Sequence, residues 1–192
     1  MSRTTSEGRD RLPVPKSLTD AQRAAVDAIT TGPRGSLFGP FLPLLRSPEL
    51  MIRLQEVGAY LRFGSEVPAH LRELVILIVA REWDQDFEWG HHAPLARSAG
   101  LGEDVVAALS RGVEVTGPPD VRAVWLLIRE LLDTRAVGDA TYEAARAVLG
   151  DTGVVEAIGI AGYYSTLAMT MNAARTPVPD DYERLPAMRS TR

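Results

Sequence analysis

The run from Leu74 to Ala80 constrains the fold most, because it is the longest uninterrupted apolar stretch in this chain of 192 residues. Pro68 precedes it at a position typical of a helix start, and we predict a helix from Pro68 to about Trp83. The run is far shorter than the roughly 20 apolar residues that span a bilayer. It is therefore expected to lie in a protein core, and no membrane segment is predicted.

Helix start and stop signals recur along the rest of the chain, whereas no alternating strand pattern and no internal repeat is visible. The chain is therefore predicted to be all-α, with one helical domain over residues 17–175. Residues 1–16 are expected to be a flexible lead-in, and residues 176–192 an extended tail that packs against a neighbour. The other predicted helices are Thr19–Thr30, Pro48–Phe63, Asp86–Ser98, Gly102–Arg111, Asp120–Leu132, Asp139–Leu149 and Asp151–Asn172.

The segment Leu37–Leu45 is too apolar for a solvent-exposed loop and too rich in proline and glycine for a helix. Two interpretations stay open, a buried connector and the wall of a pocket mouth. The apolar residues Phe38, Phe41 and Tyr60–Phe63 are likewise expected in the core, in a pocket wall or in a subunit interface.

Composition excludes several classes of function. The chain has no cysteine, so it contains no disulfide, no cysteine-based zinc site and no thiol nucleophile. The net charge is −4, and its 21 lysines and arginines are scattered, so nucleic acid is not an expected partner. The polar start of the chain does not resemble a signal peptide, and the expected location is the cytoplasm.

The residues that suggest chemistry lie around the predicted Asp86–Ser98 helix. Glu88 and His92 are four residues apart, so their side chains meet on one helical face, and His91 flanks them. A carboxylate against an imidazole fixes its tautomer and raises its basicity, as a general acid/base pair requires. A solvated ion pair is the alternative. Glu73 is a second carboxylate candidate, held beside the core against Arg72, His91 or His92, or else a solvated partner of the helix dipole.

Two carboxylates converging on one histidine must separate in proton affinity, which gives one acid and one base. Neighbouring histidines on a helix point about 100 degrees apart, so His91 and His92 are not expected to bind one metal ion together, and no metal site is predicted. His70, at a helix start, is expected to be exposed rather than functional.

Residues 71–101 resemble the carboxymuconolactone decarboxylase-like, or alkylhydroperoxidase D-like, superfamily. The similarity rests on Leu71-Arg-Glu followed by the apolar run, on Glu88-Trp-Gly-His-His92, and on Gly100-Leu101. The resemblance implies a helical array that assembles as a trimer or hexamer. It also implies an active site near subunit contacts.

In the peroxidase branch of the superfamily, the conserved glutamate falls on Glu73, the two cysteines on Gln85 and Glu88, and the histidine on His92. Both thiols are replaced here, so thiol-dependent peroxidase activity is not expected. The decarboxylase branch has a Glu-x-x-x-His pair, which Glu88 and His92 match, and an arginine that Arg72 matches. Glu73 is the peroxidase-like residue, so the chain combines features of both branches.

We therefore expect a cofactor-independent acid/base enzyme that decarboxylates a small carboxylated, lactone-like or enolisable substrate. An isomerase or dehydratase acting on a related ring, and a non-catalytic oligomer that binds a small acid, are the alternatives. No role is assigned to Tyr163, Tyr164 or Asn172. The predicted catalytic residues are His92, Glu88 and Glu73, and the predicted substrate-binding residues are Arg72, His91 and Trp89.

Overall fold

The computed structural model describes residues 10–32 and 35–187. Within these ranges the chain forms eight α-helices and no β-strand, which confirms the predicted all-α fold. The helices are α1 Asp20–Thr30, α2 Phe41–Leu44, α3 Pro48–Phe63, α4 Ala69–Glu82, α5 Asp86–Ser98, α6 Glu103–Arg111, α7 Pro119–Thr134 and α8 Asp139–Ala174.

Helix α4 is the centre of the fold. Leu71 and every residue from Leu74 to Ala80 are buried, and helices α5, α6, α7 and α8 all contact α4. A helix surrounded in this way needs apolar side chains on every face rather than along one stripe. This explains why the apolar run is continuous in the sequence.

The helix boundaries follow the local sequence closely. At α1 the Thr19 hydroxyl accepts the backbone N–H of Gln22 at 3.2 Å, and the Gln22 side chain accepts the backbone N–H of Thr19 at 3.0 Å. These two hydrogen bonds form a capping box. Helix α8 was predicted as two helices, and its backbone does break at Gly150, where φ is 69° and ψ is 176°. Only glycine adopts this conformation readily.

The connector from Leu37 to Leu45 differs from the prediction, because it contains the short helix α2. Pro43 is tolerated because it lies in the first turn, where its missing N–H has no helical partner to lose. Phe41, Leu44 and Leu45 are buried, and α2 contacts α3 and α8. The connector is therefore buried, as one of the two interpretations held.

The tail packs against helix α5 of its own chain rather than only against a neighbour. Leu185 is buried, and its backbone N–H donates to Asp86 at 3.0 Å. The carbonyl oxygen of Pro186 accepts the Arg81 guanidinium at 2.9 Å. We call residues 182–186 the C-terminal strap. The tail contains no helix over residues 176–187, and residues 188–192 lie outside the described part of the chain.

Residues 1–9 of the predicted lead-in also lie outside the described residues. Farther along, Arg11 is held against the end of α8, because its backbone N–H donates to the carbonyl of Ala174 at 2.8 Å. Its guanidinium donates to the carbonyl of Ala173 at 3.1 Å. The last residues of the lead-in are therefore attached to the helical domain.

Helices α3 and α8 expose apolar side chains to solvent, among them Tyr60, Phe63 and Val155. Surfaces of this kind are often covered by another subunit, and the homo-oligomer stays a prediction. In the described ranges, none of the helices combines the length and the apolar character needed to cross a bilayer.

Candidate active site

Helices α4 and α5 form a hairpin that places the candidate residues together. The turn between them is short, and Asp84 adopts a left-handed conformation in it, with φ of 48°. The Gln85 side chain then caps α5 by accepting the backbone N–H of Phe87 at 2.8 Å. Because α5 runs back along α4, Glu73 near the start of α4 lies beside His92 in the second half of α5.

Glu73 and His92 form a buried pair. Oε2 of Glu73 lies 2.7 Å from Nδ1 of His92, and the side chains are 5% and 4% exposed. Burial alone would raise the pKa of Glu73, but the hydrogen bond with His92 and the charges of His92, Arg62 and Arg72 together lower it. Glu73 is therefore an ionised carboxylate that orients His92 and favours its imidazolium form.

Glu88 has the opposite character. It is 3% exposed, and neither carboxyl oxygen has a hydrogen-bond partner among the described residues. Burial raises the pKa of Glu88 well above its usual range and so favours the uncharged carboxylic acid. The two glutamates thus differ in proton affinity in the way that an acid and a base require.

Glu88 was expected to orient His92, but neither of its carboxyl oxygens has a hydrogen-bond partner among the described residues. Their four-residue spacing does place them on one side of α5, and both line the same pocket. However, Nδ1 of the imidazole pairs with the ionised Glu73 of α4. An ionised acceptor makes a stronger hydrogen bond to an imidazole than a neutral carboxylic acid does.

The pocket lies between α3, α5, α8 and the connector before α3. Its free volume is about 30 Å³, which is room for one or two water molecules. A ring-sized substrate therefore requires side chains at the mouth to move. The lining residues are Phe38, Pro40, Phe41, Arg62, Phe87, Glu88, His91, His92, Tyr164 and Leu167.

Aromatic rings hold the two imidazoles in place. Tyr164 meets His92 edge-on, with ring centroids 5.1 Å apart at 90°. His91 also meets His92 edge-on, at 4.9 Å, and Phe38 lies 5.3 Å from His91. The predicted pocket-wall role of Phe38 and Phe41 agrees with this arrangement, and Tyr164, to which the sequence assigned no role, lines the pocket.

Two predicted binding residues lie elsewhere. Trp89 is fully buried, and its indole N–H donates to Glu183 of the strap at 3.3 Å, so it helps to anchor the tail. Arg72 is not among the pocket-lining residues, although its charge acts on Glu73. Arg62 of α3 is the arginine that lines the pocket, and its charge also acts on Glu73. Its position within the apolar Tyr60–Phe63 segment is the only sequence feature that suggested it.

Tyr163 and Asn172 are structural. Tyr163 is buried and packs edge-on against Tyr164, with ring centroids 5.2 Å apart. Asn172 accepts the Gln85 side-chain amide at 2.8 Å and donates to the carbonyl of Trp83 at 2.8 Å. These bonds fasten the α4–α5 turn to α8. Across the described ranges, no three His, Asp or Glu side chains are grouped closely enough to hold a metal ion.

Comparison with known proteins agrees with this architecture. Residues 48–130 match the model of the carboxymuconolactone decarboxylase family. This range contains the hairpin, the Glu73–His92 pair and Glu88. The matched range is therefore similar to this family, and the similarity extends over fewer than half of the residues of the chain.

A solved structure from Ralstonia eutropha JMP134 has a similar fold. It is described as an alkylhydroperoxidase AhpD core and as an uncharacterized peroxidase-related protein. The TM-score is 0.70 at 17% sequence identity, and the match covers 89% of this chain and 93% of that chain. No curated protein matches the sequence significantly.

Gln85 and Glu88, which the resemblance places at the cysteine positions of the peroxidases, have different surroundings. Gln85 is occupied in capping α5 and in binding Asn172. Glu88 instead faces the pocket beside His92. The position that resembles the second cysteine of the peroxidases therefore carries a buried carboxyl group that lines the pocket.

Proposed function

We propose that this protein is a cofactor-independent acid/base enzyme that decarboxylates a small carboxylated substrate with a conjugated carbonyl group. One observation carries the proposal. A single pocket holds an imidazole backed by a buried carboxylate, His92 with Glu73 at 2.7 Å, and a buried carboxylic acid, Glu88, with no described partner. This combination supplies both a proton carrier and a neutral hydrogen-bond donor.

In the proposed reaction the bond between the carboxylate carbon and the ring carbon breaks, and carbon dioxide leaves. The electron pair moves into the conjugated carbonyl, which becomes an enolate. Glu88 donates a hydrogen bond to this oxygen, as a neutral acid in an apolar site is able to do. The Arg62 guanidinium at the pocket adds a positive charge that stabilises the same oxyanion.

His92 then completes the reaction. Its imidazolium donates a proton to the carbon that lost carbon dioxide, while the enolate collapses back to a carbonyl. Glu73 stabilises the imidazolium before the transfer, and the neutral imidazole regains a proton from water. Overall, the reaction consumes one substrate carboxylate and one proton, and it releases one carbon dioxide and one product with a new C–H bond.

The first test is turnover of carboxymuconolactone, generated in place, followed by carbon dioxide release and ultraviolet absorbance. We expect His92→Gln and Glu88→Gln each to lower kcat by about 10²-fold or more, because each removes a proton-transfer or oxyanion-stabilising group. His70→Gln is the matched control. His70 also pairs with a carboxylate, Asp120 at 3.0 Å, but it does not line the pocket.

Two outcomes would redirect the proposal. A wild-type protein that converts the lactone without releasing carbon dioxide would be an isomerase or dehydratase, which the same residues would serve. A wild-type protein without turnover that still binds a small carboxylate would be a binding protein, and His92→Gln would then retain that binding. Thiol-dependent peroxide reduction, suggested by the description of the Ralstonia protein, is not open to a chain without cysteine.

A further inference from the structure

The C-terminal strap reaches the candidate active site through Tyr182. This residue packs directly on the backbone of α5 at Gly90, where an added Cβ would lie 2.5 Å from the Tyr182 Cβ. Its ring lies 5.4 Å from Phe87 and 6.3 Å from His91. Since Leu185 is buried beyond it, the strap holds Tyr182 in place from the C-terminal side.

The Tyr182 hydroxyl oxygen lies 3.3 Å from Nδ1 of His91. Burial, together with the charge of Asp181, raises the pKa of Tyr182, so the phenol retains its proton. A protonated phenol that donates to Nδ1 requires the neutral imidazole with its proton on Nε2. The partner of His91 Nδ1 is thus a phenol, whereas the partner of His92 Nδ1 is a carboxylate.

This difference matters because the two imidazoles touch, with centroids 4.9 Å apart. Two positive charges at this separation repel each other, so protonation of one imidazole disfavours protonation of the other. The surrounding groups decide which of the two is protonated. The groups lining the pocket around His91 are Arg62 of α3, Glu88 and His92 of α5, and Tyr164 of α8. Arg62 disfavours a second cation, and the one ionised carboxylate described at the pair, Glu73, is bonded to His92.

We propose that Tyr182 is a positioning residue of the active site: its hydroxyl donates to Nδ1 of His91, keeps that imidazole neutral, and leaves His92 as the imidazole that carries the catalytic proton. The assignment of the catalytic proton to His92 rests on the proposed function. The strap is then part of the catalytic apparatus, although it lies about 90 residues beyond His91 in the chain.

The test uses the imidazole nitrogens directly. The chain has three histidines, so a protein labelled with ¹⁵N-histidine gives three ring patterns, which His70→Gln, His91→Gln and His92→Gln assign. In the wild type at neutral pH we expect Nδ1 of His91 to be unprotonated. In Tyr182→Phe the ratio of the two neutral His91 tautomers should shift by about threefold or more, which corresponds to the loss of one hydrogen bond.

Gly90→Ala provides an independent variant. The added methyl group displaces the Tyr182 ring while leaving its hydroxyl in the chain, and the His91 signals should shift in the same direction as in Tyr182→Phe. Gly162→Ala is the matched control, because a Cβ there meets no described atom within 4 Å. His70 signals serve as the internal reference in every sample.

The outcomes separate cleanly. A protonated Nδ1 on wild-type His91, or His91 signals that are the same in Tyr182→Phe and wild type, would overturn the proposal. These readings need no substrate, so they hold even if the protein turns over none of the tested lactones. With an active enzyme, Tyr182→Phe should change the pH profile of kcat and leave KM nearly unchanged, whereas an unchanged profile would reject the catalytic part alone.

Discussion

Two histidine–carboxylate pairs among the described residues have the same chemistry and different surroundings. His92 and Glu73 lie 2.7 Å apart with 4% and 5% of their side chains exposed, and His70 and Asp120 lie 3.0 Å apart with 31% and 37% exposed. Water competes for the second pair and screens it, so that pair contributes little. Burial excludes water from the first pair, and the hydrogen bond with His92 is the largest of the effects that lower the pKa of Glu73. Contact geometry is therefore similar in both pairs, and burial beside a pocket distinguishes the candidate site.

The largest difference between the pairs should appear when the same substitution is made in both. His92→Ala leaves the Glu73 carboxylate buried without its imidazole, and we expect a loss of about 3–5 kcal/mol in the free energy of unfolding. His70→Ala leaves Asp120 partly exposed to water, and the loss should be about 1 kcal/mol or less. Urea unfolding at neutral pH measures both, and equal losses would mean that burial does not distinguish the pairs.

A second prediction concerns Glu88, the buried carboxyl group whose oxygens have no hydrogen-bond partner among the described residues. Because burial raises its pKa, the folded state retains a proton that the unfolded state releases above the usual glutamate pKa. Its contribution to stability therefore falls as pH rises above that value. Glu88→Gln has a similar shape and no titrating proton, so we expect it to be more stable than wild type at neutral pH by about 0.5–2 kcal/mol, as substitutions at functional sites often are.

This second prediction is checked by urea unfolding of wild type and Glu88→Gln at about pH 5, 7 and 8. The advantage of the variant should grow with pH. A variant that is less stable than wild type at every pH would indicate that Glu88 is held as an ionised group by contacts formed only in solution. In that case its assignment as a neutral acid would fail.

The fold and the site were predictable to different extents. Helix boundaries such as Thr19 before α1 and Gly150 within α8 depend on local backbone chemistry, which the sequence displays directly. The pairing of His92 depends on the angle between α4 and α5 and on which carboxylate is ionised, so the i,i+4 spacing pointed to Glu88 rather than Glu73. Arg62 reaches the pocket from α3, and Tyr182 reaches His91 from the tail; no local pattern encodes such long-range placement.

The smallest effect, and the sharpest test of the comparison, is the response of each pair to acid. The hydrogen bond with His92 and nearby charges lower the pKa of Glu73 against the opposing effect of burial, and the hydrogen bond with His70 lowers that of Asp120. A carboxyl whose folded pKa is lowered stabilises the protein above its unfolded pKa, and that stability is lost as pH falls through the folded pKa. Glu73→Gln and Asp120→Asn should therefore each weaken the loss of stability between about pH 5 and about pH 3.

Salt distinguishes the two substitutions. At high ionic strength the effect of Asp120→Asn should shrink because its pair is exposed, while that of Glu73→Gln should persist because its pair is buried. If salt reduces both effects equally, the two pairs share one electrostatic environment and the distinction between them fails.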